Sequence, residues 1–114
     1  MQYIGDRTMA APRLVHAGLN RSGVQQAASQ LIANLRRMVD AGVVHADLSV
    51  FNLLWWNDVL WIIDLPQAVA ISTHRQAFEF LHRDLVNVGE WFSARDVAFD
   101  ADDLFTDLLA GLRT

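Results

Sequence analysis

Apolar residues recur at three- and four-residue spacing from Val24 to Val39, through Ala27, Ala28, Leu31, Ile32, Leu35 and Met38. That period puts them on one face of an α-helix, predicted over residues 24–41 behind a hinge and linker at 1–23. Ser22 is the candidate N-cap, and Gly42 stands where a helix stop is expected. The period then changes. "LLWW" (53–56) and "VLWIID" (59–64) are apolar almost without a break, and Asn57-Asp58 between them is a favoured two-residue turn. The expectation is a β-hairpin with both faces covered. Helical spacing returns at Phe78, Leu81, Leu85, Val88 and Phe92, predicting a helix over 75–93. A last helix is predicted over about 101–112. Asp100 is its expected cap, Asp102 and Asp103 suit the dipole of its first turn, and Leu104, Phe105, Leu108, Leu109 and Leu112 form its inner face. The C-terminal helices together occupy 75–112, and the expected class is α+β, mainly helical with one hairpin. At the start, "MQYIG" reads as the end of a strand and "DRTMAAPRL" as linker, with Pro12 blocking regular pairing. A strand end at Met1 predicts further polypeptide before it.

Composition narrows the picture. With 114 residues, 53% of them hydrophobic, the chain suffices for one domain with a modest core. No apolar run reaches the length of a membrane span and no signal segment opens the chain, so a cytoplasmic protein without membrane partners is expected. Cysteine is absent, which removes disulfides and thiolate metal sites and fits a reducing compartment. A net charge of −4 without a basic stripe argues against direct nucleic-acid binding. All nine basic residues are arginine. Any chemistry that needs a lysine ammonium must therefore come from outside this sequence.

The candidate chemistry sits in "HADLSVFN" (45–52) and in Asp64, twelve residues beyond Asn52. If the hairpin turn is centred on Asp58, Asn52 and Asp64 lie six residues to either side and face each other at its open end. Directly opposed residues have Cβ atoms roughly 4.5–5.5 Å apart. Two oxygen-bearing side chains at that spacing can share a hard cation such as Mg²⁺. Asp47, in the loop feeding the hairpin, can then act as a base beside the metal. The order H-x-D-x-x-x-x-N followed by an acid is that of phosphoryl-transfer enzymes. His45 is expected to brace the loop by hydrogen bonding. The remaining histidines, His16, His74 and His82, are surface or capping residues on this reading. Trp55, Trp56 and Trp61 are hairpin packing, since no basic residues are interleaved as a base-stacking platform would need. Arg75 and Arg83 are taken as solvated charge.

These residues carry a resemblance. "VHADLSVFNLLWW" followed by "LWIIDLPQAV" resembles the catalytic and metal-binding segments of the RIO family of atypical serine/threonine protein kinases. Leu48-Ser49 after the base, Pro66-Gln67 after the metal acid and Ala46 in place of arginine are all similar to that family; "MQYIG" is similar to its interlobe hinge, and "FEFLHRDLVNVGEWF" to its helix after the metal loop. The resemblance spans nearly the whole chain and implies a protein-kinase-like C-terminal lobe whose hairpin carries the metal site. It implies Asp47 as catalytic base, Asn52 and Asp64 as ligands of Mg²⁺ or Mn²⁺, and Asp64 also as acceptor of a transient phosphate. Ser49 and His45 are supporting residues, and Met1, Gln2, Tyr3 and Ile4 line the adenine pocket through their backbone. ATP is the implied substrate, with a protein acceptor of unknown identity. The family's Gly-rich loop and phosphate-binding lysine precede the hinge, so the partner expected is an N-terminal ATP lobe or a second copy. Val50 departs from the family's usual glutamate, and without the arginine at Ala46 control by loop phosphorylation is not expected. Two other readings remain: a lobe of an aminoglycoside- or choline-type phosphotransferase, which shares H-x-D-x-x-x-x-N, and a noncatalytic binding module.

Overall fold

The computed structural model describes residues 12–64 and 68–112. A 3₁₀ turn at Leu14–His16 leads into α1 (Arg21–Asp40) and the short strand β1 (Val43–Val44). A second 3₁₀ turn, Val50–Asn52, opens the hairpin of β2 (Leu53–Trp56) and β3 (Val59–Ile62). β4 (Val69–Ala70), α2 (Ala77–Ser93) and α3 (Ala101–Gly111) follow. Among the described residues this is an α+β arrangement of three helices and two small antiparallel sheets. No described helix is long and apolar enough to cross a membrane.

α1 buries the predicted face through Val24, Ala27, Ala28, Leu31, Leu35 and Val39. Its start corrects the expectation. Asn20 is the N-cap, in extended backbone, and its side chain accepts from Gly23 N at 2.9 Å, so Ser22 lies inside the first turn. Gly42 ends the helix region in the left-handed conformation, φ +81°.

In the hairpin, Asn57 and Asp58 both have positive φ (+52° and +61°), the geometry that matches a tight turn to the twist of its strands. Pairing runs from Trp56–Val59 to Leu53–Ile62. Gln30 of α1 grips the turn: its Nε2 donates to Asp58 O at 2.8 Å and its Oε1 accepts from Leu60 N at 2.9 Å. Cover is uneven. Leu53, Leu54 and Trp55 are buried on both faces of β2, whereas Val59 of β3 is exposed. The expected single hairpin is not the whole of the sheet structure. β1 pairs with β4, Val43 with Ala70 and Val44 with Val69. Two residues per strand are too short to leave a readable alternation, yet this pairing ties the entry of the 45–52 loop to the chain returning from Asp64. Pro12 does not break all pairing either, since its carbonyl accepts from Trp55 N at 3.0 Å.

The inner face of α2 is Ala77, Leu81, Asp84, Leu85, Val88 and Phe92. Phe78, expected on that face, is 41% exposed. The face follows Ala77 and Leu81 one turn apart, and Phe78 is rotated about 100° from it. Asp100 caps α3 by accepting from Asp103 N at 3.0 Å. Leu108 is buried and Leu104, Phe105 and Leu109 are partly buried, while Leu112 lies past the helix end and is exposed. Phe92, fully buried, stacks on Phe99 with ring centroids 5.6 Å apart. Gly89 makes room for that stack: a Cβ there would lie 2.7 Å from Phe99 Cδ1. Helix propensity alone would reward Gly89→Ala by about 1 kcal/mol, but overpacking costs about 1–3 kcal/mol. Urea unfolding is therefore expected to show the variant less stable than wild type; a gain would mean Phe99 moves aside freely.

Candidate active site

The loop between β1 and β2 is held from three sides. His45 is buried and uses both ring nitrogens. Nε2 lies 2.8 Å from Ile63 O, and Nδ1 accepts from Asp47 N at 3.2 Å. The Nε2–H tautomer satisfies both, linking the loop to the far end of the hairpin. From α2, the buried Asp84 accepts from Ala46 N at 2.8 Å through Oδ2 and from Leu48 N at 3.0 Å through Oδ1. Arg83 donates to Ala46 O, so it is not merely a solvated charge. Ala46 sits at φ +75°, a left-handed conformation that costs an L-residue roughly 1–2 kcal/mol. The hydrogen bonds that Ala46 N donates to Asp84 and that Ala46 O accepts from Arg83 hold it there. On the linker side, Arg13 donates to Phe51 O.

Sequence periodicity passes over Asp84, the residue on which the loop depends most. Its signal is an acid on an apolar helical stripe, between Leu81 and Leu85. Burial pushes its carboxyl above the ordinary 3.8, against the opposing pull of the Leu48 and Ala46 N–H groups and of His45 and Arg83. The folded state therefore binds the Asp84 proton more tightly than the unfolded chain does. The stability this adds is complete below 3.8 and is lost as pH rises through the raised value. Unfolding free energies of wild type minus Asp84→Asn, taken by urea across this range, are expected to fall as pH rises. A rising difference would mean that the two N–H donors outweigh desolvation.

The predicted opposition of Asn52 and Asp64 needs correcting. The turn centre lies between Asn57 and Asp58, not on Asp58, so Asn52 faces Ile63, whose N–H donates to Asn52 O at 2.9 Å. A simple continuation of the strand would place Asp64 beyond Asn52. Instead Asp64 adopts φ +63°, and its Oδ2 accepts from Asn52 Nδ2 at 3.1 Å. The two residues meet, through a backbone reversal rather than through register. Ser49 joins them: its N–H donates to Asn52 Oδ1 at 2.7 Å and its hydroxyl lies 3.2 Å from the same oxygen. Asp47 and Asp64 are both exposed.

The donor set is a carboxylate and a carboxamide, hard oxygen ligands suited to Mg²⁺ or Mn²⁺ and not to softer metals. Among the described residues no group of three or more histidine, cysteine or acidic side chains is placed to hold a metal. A cation here would complete its shell with water or phosphate oxygens, as Mg²⁺ commonly does. Met1, Gln2, Tyr3 and Ile4, and likewise Pro66 and Gln67, lie outside the described residues.

Comparison with known proteins gives a consistent set of relatives. The sequence profile of the RIO domain matches residues 1–104. Human serine/threonine-protein kinase RIO1 is 41% identical over 99 residues, covering 86% of this chain and 17% of the human protein. Human serine/threonine-protein kinase RIO3 is 38% identical over 93 residues, 81% of this chain and 18% of that protein. The RIO-type serine/threonine-protein kinase Rio1 of Thermoplasma acidophilum is 39% identical over 104 residues, 91% of this chain and 53% of the archaeal protein. The chain thus spans about half the length of the archaeal relative and under a fifth of the human ones.

Proposed function

The chain belongs to the RIO domain family, and from that premise we propose that residues 45–64 form the acceptor-side and metal-side half of a phosphoryl-transfer centre. The family's relatives are named as serine/threonine kinases. The finer reading is that Asp47 accepts the proton of a serine or threonine hydroxyl on a protein substrate. Asn52 and Asp64 hold Mg²⁺ or Mn²⁺, which when bound neutralises charge on the phosphates of ATP. Asp64 is also the candidate acceptor of a transient phosphate. Met1–Ile4 contribute backbone groups to the adenine pocket, and a phosphate-binding lysine, absent from this sequence, would have to be supplied by other polypeptide such as an N-terminal ATP lobe or a second copy.

The observation that supports this most is the Asn52–Asp64 contact beside a loop locked by His45 and Asp84. Such rigid support is what a catalytic group needs, since small misplacements cost rate steeply. The chain's own residues then have separate tasks. Ala46, through its held conformation, sets the direction in which Asp47 leaves the loop. Asp64, through its positive φ, turns its carboxylate toward Asn52.

The test is transfer of label from γ-labelled ATP by the natural-length protein, with Mg²⁺ and mixed protein acceptors. Label on serine or threonine is expected. Label on an aminoglycoside or choline in place of protein would overturn the protein-kinase reading, and no transfer to any acceptor would leave the binding-module reading in its place.

A further inference from the structure

The Asn52 side chain has a role at odds with ligation as it stands, and the conflict lies in its bonding. A carboxamide oxygen has two lone pairs. Asn52 Oδ1 accepts from Ser49 N at 2.7 Å and from Ser49 Oγ at 3.2 Å. Its Nδ2 donates to Asp64. The orientation is fixed by chemistry: a flipped amide would put NH₂ against the Ser49 N–H. A cation at Asp64 can bind Asn52 only through Oδ1, so it must take a lone pair now held by Ser49. The hydroxyl bond is the longer of the two and the one free to rotate away. The backbone N–H is fixed by the 3₁₀ turn that Ser49 caps, where Ser49 Oγ also accepts from Phe51 N.

We infer that Ser49 is a positioning residue that acts as a latch: its hydroxyl holds Asn52 Oδ1, and a divalent cation binding at Asp64 and Asn52 displaces that hydroxyl. The inference rests on the proposed reading of those two residues as cation ligands. The latch keeps the carboxamide in place beside Asp64 and lowers the apparent cation affinity by the strength of one hydrogen bond. Removing the hydroxyl removes the competitor. Ser49→Ala is therefore expected to bind Mg²⁺ about three- to tenfold more tightly than wild type, the factor that one such bond carries. Ser49→Thr keeps the hydroxyl and is expected to bind within about twofold of wild type.

The experiment is an NMR titration of the chain with Mg²⁺ alone, without nucleotide, following the Asn52 side-chain amide and the Asp64 backbone resonance. Binding tightened in Ser49→Ala but not in Ser49→Thr supports the latch. Equal or weaker binding in Ser49→Ala, with binding abolished in Asp64→Asn, overturns the latch and leaves the cation site standing. Wild-type binding in Asp64→Asn removes the cation site itself, and the latch with it. A readout in the wild-type protein does not depend on how the variants fold. The χ1 couplings of Ser49 are expected to change on saturation with Mg²⁺, and unchanged couplings with the cation bound at Asn52 would overturn the displacement.

Discussion

Asp84→Ala is expected to destabilise the protein by roughly 2–4 kcal/mol net, because it strips the acceptors from two backbone N–H groups at once, each hydrogen bond to a charged group being worth about 1.5–3 kcal/mol. Ala46 N and Leu48 N both donate to this one carboxylate. Water cannot easily replace the acceptor at Leu48, which is fully buried, whereas Ala46 is partly exposed. Some of the cost returns, because Ala46 is then free to leave φ +75° and relieve about 1–2 kcal/mol of local strain. Urea unfolding at neutral pH measures the total. Amide exchange supplies the local signature: protection at Ala46 and Leu48 should drop further than protection in α1. A loss under about 1 kcal/mol would mean that the loop is held by His45 and Arg83 without Asp84.

Asp47→Asn carries the largest expected effect on activity. Asp47 is exposed, and its backbone N–H donates to His45 Nδ1. The substitution keeps the shape and that hydrogen bond, so stability should change by no more than about 0.5 kcal/mol. On the proposed reading, what it removes is the ability to take a proton from the attacking hydroxyl. General-base contributions are about 10²–10⁴-fold, so kcat in the natural-length protein should fall by that factor. The KM for ATP should stay near its wild-type value, because Asp47 is not assigned to nucleotide binding. Steady-state kinetics with urea unfolding as a control separates the two effects. An unchanged kcat in a folded variant would remove Asp47 from the chemistry.

The helices were legible because their apolar positions repeat with the helical period, and the hairpin because Asn57-Asp58 is a turn pair that accepts positive φ at both positions. Motif order points to Asp47, Asn52 and Asp64, and the structure brings Asn52 and Asp64 into contact. What stayed hidden depends on contacts between distant segments. Gln30 gripping the turn and Asp84 gripping the loop are polar residues whose partners lie 28 to 38 positions away. No local pattern announces such a bond. The β1–β4 pairing is too short to alternate visibly. Asn52 lies one residue off the expected register because a two-residue turn has its centre between its residues, not on one of them. Asp64 reaches Asn52 anyway because of its positive φ, a conformation an acid adopts more readily than a branched residue. Asn and Ser cap about equally well, so residue type alone does not choose between Ser22 and Asn20; Asn20 caps because it holds the extended backbone from which its side chain reaches Gly23 N, while Ser22 is already helical.

The central claim is that Asn52 and Asp64 serve a cation that serves phosphoryl transfer. Its most direct measurement is ATP turnover by the natural-length protein as a function of Mg²⁺ concentration, in wild type and in Asp64→Asn. Saturable Mg²⁺ dependence in wild type and its loss in the variant, with turnover falling at least about 10²-fold, is the predicted result. Turnover that is equal in the two proteins across the Mg²⁺ range would contradict it.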